Sequence, residues 1–176
     1  MENSIVRERQ QPLMDHYVTN PRAALITDMA FIEGRNYDDP LHSSVFINEE
    51  LKIPFSIGVH RAVGGLHDFP NSGDLLCASL ASCFETSLRL IANRMHIEIE
   101  ETKIVATAIV DVRGTLMVDR NVPVAFQSMG IEIRLKTVNT IKDEMIEKLL
   151  NATERCCIVY QTIKKGIPIE ITIDKL

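Results

Sequence analysis

One apolar segment, residues 72–96, constrains the fold more than any other part of this sequence. Between Leu75 and Ile91 only Glu85 and Arg89 carry a charge, and an acid four residues before a base is the favourable order for a helical ion pair. A helix that is apolar on most sides is normally buried. Small residues precede the cysteine in the middle of the segment, namely Ala78, Ser79, Ala81 and Ser82. We therefore predict a core helix in which Cys83 lies inside, beside a closely packed neighbour.

The start of this helix is also marked in the sequence. Pro70 precedes Asn71 and Ser72, and either of the latter two is a good N-cap residue. Asp74 adds a negative charge in the first turn, where the helix dipole favours it. We therefore expect the helix to begin at residue 71 or 72.

The overall composition limits the classes of function. With 176 residues, of which 45% are hydrophobic, the chain can bury one substantial core. We expect a single domain over residues 1–176, with a helical arm at 1–20 and a core at 21–176. The net charge of −5 leaves no basic patch for phosphate contacts, so no nucleic-acid partner is expected. Since the N-terminus has no apolar signal region and no stretch reaches roughly 18 unbroken apolar residues, we expect a cytoplasmic protein without a membrane partner.

The four cysteines fall in two patches, Cys77 with Cys83 and Cys156 with Cys157. They are too few for a disulfide-rich secreted fold, and in a reducing compartment such cysteines are core residues, metal ligands or redox groups. A metal site is the weakest of these, because the sequence has no C-x-x-C motif and none of the five histidines lies at ligand spacing from a cysteine. We predict no metal and no bound cofactor.

The apolar pattern along the rest of the chain predicts an α+β protein. The predicted order is a helix at 2–20, strands at 25–33, 43–48 and 53–60, the core helix at 72–96, strands at 102–113 and 131–136, a second long helix at 140–165 and a closing strand at 167–173. The strand at 102–113 is apolar on both faces and is expected to be central. The long apolar connection at 115–129 is expected to be a subunit contact.

The second long helix separates its two cysteines. Thr140 and Asp143 resemble a capping box at its start. Its apolar stripe contains Leu149 and Cys156, whereas Cys157 is turned by about 100° to the margin of that stripe. Of the two thiols, we expect that of Cys157 to meet a group outside the main contact of the helix.

Arg61 follows the apolar face of the third predicted strand. Alternate residues from Ile53 to Val59 are apolar, and at a period of two Arg61 comes next on the same face. Either the arginine points inward, or the strand has ended by His60 and the guanidinium reaches water. Because buried arginine is rare unless it is paired, the second interpretation is favoured.

Cys83 needs help from other groups to be reactive. A thiol in the middle of a helix gains little from the helix dipole, and burial disfavours the thiolate. A fixed cation can hold the thiolate, and a second thiol nearby can capture a sulfenic acid as a disulfide. Arg61 and Cys157 are our candidates for these two roles.

Two segments of the sequence carry a resemblance to a known family. GDLLCASLASCFETSLRLIA and, about seventy residues later, ERCCIVYQTIKKG resemble the two cysteine motifs of the osmotically inducible protein C and organic hydroperoxide resistance (OsmC/Ohr) family. Cys83 matches the first cysteine. Cys157 matches the second, which commonly opens a C-P-V-S-like motif, although Ile158 replaces the proline and Tyr160 the serine. The resemblance covers residues 25–176 and implies an OsmC-like β-β-β-α-β-β-α-β core after an extra N-terminal helix, with two long central helices packed on sheets, in an intertwined homodimer.

The resemblance also implies a thiol-dependent peroxidase. Cys83 would attack an organic hydroperoxide, or hydrogen peroxide, and Cys157 would resolve the resulting sulfenic acid as an intramolecular disulfide. An external dithiol or a lipoylated protein, and no bound cofactor, would then reduce the disulfide.

Members of this family stabilise the first thiolate with an arginine that a glutamate orients. Arg61 fits that arginine, and Arg35 is an alternative cation from a different strand. Gly73 stands where the glutamate is expected, and Asp74 is adjacent as a candidate substitute. The shorter side chain of Asp74 and a shift of about 100° around the helix weaken this substitution.

Two other functions are compatible with the sequence. The first is a non-enzymatic dimer whose apolar interface cleft holds a small hydrophobic ligand, with the cysteines as packing residues. The missing glutamate favours this binding protein, whereas the matched pair of cysteines favours the peroxidase. The second is a redox sensor built on Cys156 and Cys157, which is disfavoured because adjacent cysteines form only a strained ring.

Overall fold

The computed structural model describes residues 4–32, 38–48 and 53–173. The chain forms α1 (Ile5–Thr19), β1 (Ala30–Ile32), β2 (Ser43–Ile47), β3 (Ile53–Ile57), α2 (Ser72–Arg94), β4 (Ile99–Val110), α3 (Val112–Thr115), β5 (Phe126–Thr137), α4 (Asp143–Cys156) and α5 (Ile158–Lys165). Short 3₁₀ turns at Pro21–Ala24 and Arg61–Val63 connect some of them. The α+β class predicted from the sequence is confirmed.

The chain divides into two compact units, and each is described separately. The first contains Met1–Ala78 and Ala106–Ile131, and the second contains Ser79–Val105 and Glu132–Leu176. The division passes through α2, β4 and β5 rather than through a linker. The prediction of a single domain with an N-terminal arm stays a prediction.

The first unit contains an antiparallel sheet in the order β1-β2-β3. Val45 lies opposite Phe55, and the rings of Phe31 and Phe46 stack across the β1-β2 pair with centroids 5.0 Å apart. The predicted pairing of the second and third strands is confirmed, while their predicted turn at 49–52 lies outside the described residues. The first strand is shorter than predicted, and the third ends at Ile57, where the next residue donates its N–H to the carbonyl of Pro70.

A histidine links this sheet to the loop that precedes α2. The ring of His42 contacts the carboxylate of Asp39 through Nδ1 at 2.7 Å and that of Asp68 through Nε2 at 3.1 Å. Both carboxylates, Asp39 first, raise the pKa of His42 above its ordinary value. The loop is therefore attached to the start of β2 by a bond that depends on protonation.

The helix predicted at 72–96 is confirmed as α2. Its buried residues are spaced four apart and form one stripe, made of Leu80, Phe84, Leu88 and Ala92. The expectation that most sides are buried is wrong for this chain, since Leu90 on another side is exposed. By length and composition alone α2 could also cross a membrane, which is weak evidence because core helices of soluble proteins have the same character.

The core of the second unit is small and apolar. Leu88 and Ala92 from α2 pack with Ile97 and Leu149, and both leucines are fully buried. Partly buried side chains surround this cluster, among them Ile104, Leu135, Ile141 and Met145. The core therefore joins α2 to α4, the two helices that carry the cysteines.

β4 and β5 form a two-stranded sheet. At one end Val138 donates to the carbonyl of Glu98 at 3.0 Å. The expectation that the strand after α2 is central is wrong for the described residues, among which β4 pairs with β5 alone and Ile109 is 62% exposed. β5 alternates as predicted but begins at Phe126, so part of the predicted long connection is strand.

The C-terminal part of the chain differs most from the prediction. The helix expected at 140–165 is broken at Cys157, and its N-cap is Lys142 rather than Thr140, so the predicted capping box is wrong. Residues 167–173 form no strand with the described residues, and the isoleucines at 167, 169, 171 and 173 are exposed. An alternating pattern forms a strand only where an edge is available for pairing, and the segment pairs with none in the described chain.

Candidate functional site

The second unit brings two of the four cysteines together. Cys83 lies in the middle of α2 and is half-buried, while Cys157 follows the last residue of α4 and is fully buried. Cys83 lies close enough to Cys157 to raise the pKa of its thiol through a side-chain hydrogen bond and through charge. Two sulfur atoms 74 positions apart in the sequence (157 − 83) therefore meet in the fold.

Cys157 occupies a junction between two helices. Its N–H donates to the carbonyl of Thr153 at 2.9 Å as the C-cap of α4, and its backbone is extended, with φ −73° and ψ 107°. Its sulfur accepts the N–H of Tyr160 at 3.4 Å as the N-cap of α5. The thiol is thus held in place by the start of a second helix, which no sequence signal predicted.

This junction reverses the predicted placement of the adjacent thiols. A continuous helix would place Cys156 on the apolar stripe and Cys157 at its margin, whereas the structure exposes Cys156 and buries Cys157 completely. The predicted burial of Cys156 is wrong, because the chain changes direction between the two residues. The expectation that Cys157 meets a group outside the helix agrees with its contact with Cys83.

Burial controls the protonation of Cys157. The loss of water, together with the hydrogen bond and charge of Cys83, raises its pKa to about 11, against the opposing effect of the N–H of Tyr160. At neutral pH the thiol is therefore protonated. It can donate to a neighbouring sulfur, but it has to lose its proton before it can attack one.

Side chains of α5 hold the helix junction together. The amide of Gln161 donates to the carbonyl of Glu154 at 2.8 Å, which satisfies a carbonyl that the end of α4 leaves free. The hydroxyl of Tyr160 reaches the Glu154 carboxylate at 3.3 Å, and its ring meets Phe84 edge-on with centroids 6.2 Å apart. Phe84 is the residue after Cys83, so this contact joins the surroundings of the two cysteines.

The thiol pair lies in a sequence region that matches a family model. The model described as OsmC-like protein matches residues 65–172, which is more than half of the chain and contains both cysteines. The chain belongs to the OsmC-like protein family. This confirms the resemblance noted in its two cysteine segments. No curated protein matches the chain.

Solved structures agree with this family fold. An OsmC-like protein from Vibrio cholerae aligns with a TM-score of 0.65 and 11% identity, over 78% of this chain and 94% of the other. An organic hydroperoxide resistance protein OsmC from Legionella pneumophila gives 0.59 and 20%, over 81% and 93%. The organic hydroperoxide resistance protein OhrB of Bacillus subtilis gives 0.52 and 19%, over 81% and 94%. At these identities the similarity shows the OsmC-like fold alone.

The structure accounts for one departure from the family's second motif. Ile158, which replaces the proline of the C-P-V-S-like pattern, is the first residue of α5. Proline fits well at that position of a helix, because the N–H that it lacks would have no partner there. The junction forms here with isoleucine, and without the proline no residue in the sequence marks it.

A second departure lies at the start of α2, in the first unit. A Cβ atom on Gly73 would lie 3.2 Å from Cζ of Phe126 and 3.0 Å from Oδ1 of Asn71. These distances are tighter than most contacts of a real Cβ atom. A side chain at this position would therefore press against the ring of Phe126 and the side chain of Asn71.

Asp74 has a structural role that the sequence analysis did not assign. Its carboxylate accepts from the backbone N–H of Asn71 at 2.9 Å, while Oδ1 of Asn71 accepts from the N–H of Gly73 at 2.8 Å. This reciprocal pair caps the N-terminus of α2. Its role as an orienter of Arg61 stays a prediction.

Arg61 lies in the first unit, in the 3₁₀ turn Arg61–Val63, and is exposed. The interpretation that was not favoured, in which Arg61 continues the inner face of a strand, is wrong, because β3 ends four residues earlier and the side chain of His60 caps the turn by accepting from the N–H of Ala62. The favoured interpretation, in which the strand has ended and the guanidinium reaches water, agrees with this exposure. The alternative cation, Arg35, lies outside the described residues.

The other two cysteines are separate from the pair. Cys77 lies in the first unit, where burial and then the charge of Asp74 raise its pKa. Cys156 is exposed. Among the described residues no group of histidine, cysteine and acidic side chains could hold a metal ion.

Proposed function

We propose that this protein is a thiol-dependent peroxidase that reduces organic hydroperoxides, with Cys83 as the nucleophile. The observation that carries the proposal is the nearness of Cys83 to the fully buried thiol of Cys157, whose pKa Cys83 raises. The sulfur of Cys83 attacks the terminal oxygen of the hydroperoxide, the O–O bond breaks, and the alcohol leaves. Cys83 is then a sulfenic acid.

The contact with Cys157 supports the second half of the reaction. The Cys157 thiol loses its proton to solvent, its thiolate attacks the sulfur of Cys83, the S–O bond breaks, and the departing hydroxide takes up a proton from solvent as water. The product is an intramolecular disulfide. Since Cys157 is fully buried beside its partner, capture of the sulfenic acid requires little movement and competes well with further oxidation.

The family and its structural relatives give weaker support. Two of the aligned proteins carry the name organic hydroperoxide resistance protein. We propose by this similarity that the protein acts in the cytoplasm as a homodimer, that it also reduces hydrogen peroxide, and that an external dithiol or a lipoylated protein reduces the disulfide. Arg61 is proposed to stabilise the Cys83 thiolate, with Asp74 as its orienter.

A non-enzymatic binding protein is the second candidate. The observation that favours it is the close approach of the Phe126 ring to Gly73, the position where the family's glutamate is expected. Without that carboxylate, nothing in the first turn of α2 except Asp74 can orient an arginine, and Asp74 already caps the helix. In this alternative the paired thiols are packing residues.

Turnover of cumene hydroperoxide with dithiothreitol as the reductant tests the proposal. Cys83→Ser should abolish turnover, because serine is not a nucleophile towards peroxide. Cys77→Ser, six residues earlier on the same helix, is the matched control and should keep it. Equal slow consumption by wild type and Cys83→Ser would favour the binding protein.

A further inference from the structure

A groove lies beside Cys157 and opens to solvent. Its volume is about 360 Å³. It is lined by the end of α4, the helix junction and one side of α5, and its lining includes Arg155, Cys156, Cys157 and Lys165. Two thiols therefore lie along one groove, one exposed and one fully buried.

The charge of this groove is opposite to that of the chain. Arg155 and Lys165 line it without any acidic residue, whereas the protein as a whole carries −5. Neither cation forms an ion pair within the described part of the chain. Such a groove attracts small anions more strongly than neutral molecules of the same size.

The burial of Cys157 creates a problem for a reductant that approaches from this groove. In a disulfide between Cys83 and Cys157 the groove-side sulfur is that of the fully buried Cys157, and thiol–disulfide exchange requires the attacking thiolate to reach a sulfur atom. Cys156 is exposed in the same groove and is covalently adjacent to Cys157. Of the two thiols that line the groove, it is the one that a reductant in solution can reach.

We propose that this groove binds a small thiol bearing carboxylate groups and that Cys156 passes its reducing equivalents to the buried disulfide. This inference rests on the proposed peroxidase function, and for the reductive step it replaces the external dithiol or lipoylated protein with this small thiol. Arg155 and Lys165 attract the carboxylates, and Cys156 is the entry point for the thiol.

The exchange steps balance without any further reactant. The Cys156 thiolate attacks the sulfur of Cys157, the bond from Cys157 to Cys83 breaks, and Cys83 leaves with the electron pair as a thiolate. The external thiolate then attacks Cys156, the bond between the adjacent cysteines breaks, and a mixed disulfide forms at Cys156. A second external thiol releases Cys156 and leaves as the small-molecule disulfide, so two thiols are oxidised for each disulfide reduced.

The strain of a bridge between adjacent cysteines suits this role. Geometric strain makes a disulfide easier to reduce. The bridge between Cys156 and Cys157 therefore forms only transiently and is consumed at once by the external thiol. The extended backbone of Cys157, which ends α4 at Cys156, removes the helical geometry that would oppose ring closure.

The test measures reduction alone. The Cys83–Cys157 bridge is formed with diamide, which oxidises thiols without peroxide, and its loss is followed by acid quenching and mass spectrometry. The probes are mercaptosuccinate, which carries two carboxylates, and neutral 2-mercaptoethanol. Because no hydroperoxide is used, failure of the peroxidase proposal and failure of this one give different results.

Cys156→Ser is expected to slow reduction by both thiols at least tenfold, while Cys77→Ser, the matched loss of a thiol elsewhere, leaves both rates unchanged. Because both substitutions are small, each variant is first checked for wild-type thermal unfolding, and Cys156→Ala is measured alongside. Reduction of either Cys156 variant at the wild-type rate would overturn the relay. Formation of a different bridge by diamide would overturn it as well.

The charge of the groove is tested separately. Arg155→Gln and Lys165→Gln should each lower the ratio of the mercaptosuccinate rate to the 2-mercaptoethanol rate by about threefold. Lys164→Gln is the matched control, because Lys164 lies over the ring of Tyr160 and does not line the groove. A ratio that is unchanged in both groove variants, or that falls equally in Lys164→Gln, contradicts the preference for an anionic thiol.

Discussion

Closure of the Cys83–Cys157 bridge should accelerate about tenfold for each pH unit between about pH 7 and pH 10. The step consumes the thiolate of Cys157, whose pKa is raised to about 11, chiefly by burial, from an ordinary value of 9.0. The thiolate fraction of a group rises tenfold per pH unit until its pKa is reached. The rate should therefore continue to rise beyond the pH at which an ordinary thiol is fully ionised.

The expected magnitude follows from two opposing effects. At pH 7 a pKa of about 11 leaves roughly a hundredfold less thiolate than a pKa of 9.0 would. A more basic thiolate is also more nucleophilic: the logarithm of its rate constant rises by about 0.4–0.5 for each unit of pKa. Over the rise from 9.0 to about 11, each thiolate therefore reacts roughly eightfold faster. Closure at neutral pH should thus be about tenfold slower than with an ordinary thiol in the same position.

Rapid-quench mass spectrometry measures this rate. Reduced protein is mixed with one equivalent of cumene hydroperoxide at a series of pH values, and the reaction is stopped with acid. The fraction of protein molecules that contain the Cys83–Cys157 disulfide is then measured at each time point. Dimedone, which labels sulfenic acids, separates closure from the earlier attack on peroxide. A closure rate that levels off near pH 9 would show that burial does not hold the proton on Cys157, and would refute this account of the site.

Three further predictions follow from single contacts. Leu149→Ala removes a fully buried side chain from the core of the second unit, so the free energy of unfolding in urea should fall by about 3 kcal/mol. A loss below about 1 kcal/mol would contradict the burial of Leu149 in that core. Asn71→Ala removes the side-chain cap of α2 and should lower the free energy of unfolding by about 1 kcal/mol, measured by the same urea titration against wild type. An unchanged urea midpoint would contradict the role of Asn71 as the cap. The carboxylates beside His42 raise its pKa, so their stabilisation is fully present below the ordinary value of 6.5 and is lost as the pH rises through the raised pKa. The stability advantage of wild type over His42→Asn, followed by thermal unfolding, should therefore shrink across that pH range, and an advantage independent of pH would contradict the ionic contact.

Local sequence patterns predicted the helices and strands whose formation depends on residues that are close together in the sequence. The apolar run of α2, with its cap at Asn71, is strong enough to specify a helix by itself. The alternation of β5 and the pairing of β2 with β3 are similarly local. The family resemblance correctly indicated the fold, because it rests on two short cysteine segments that lie within the matched region.

Features that depend on distant contacts were beyond such patterns. The break at Cys157 has no proline or glycine to mark it, and it is stabilised instead by the side chain of Gln161 on the next helix. The exposed isoleucines after Gly166 alternate as a strand would, but a strand forms only against an available edge. The ring of Phe126 beside Gly73 joins residues 53 positions apart (126 − 73) and could not be anticipated from either segment alone.

Peptide mapping after oxidation tests the central claim most directly. Fully reduced protein receives one equivalent of cumene hydroperoxide, its remaining thiols are alkylated, and its peptides are identified by mass spectrometry. The account predicts a single disulfide between Cys83 and Cys157, with Cys77 and Cys156 alkylated. A Cys83 that remains a free thiol, or that is oxidised to sulfinic acid while Cys157 is alkylated, would contradict the claim that these two thiols react as a pair.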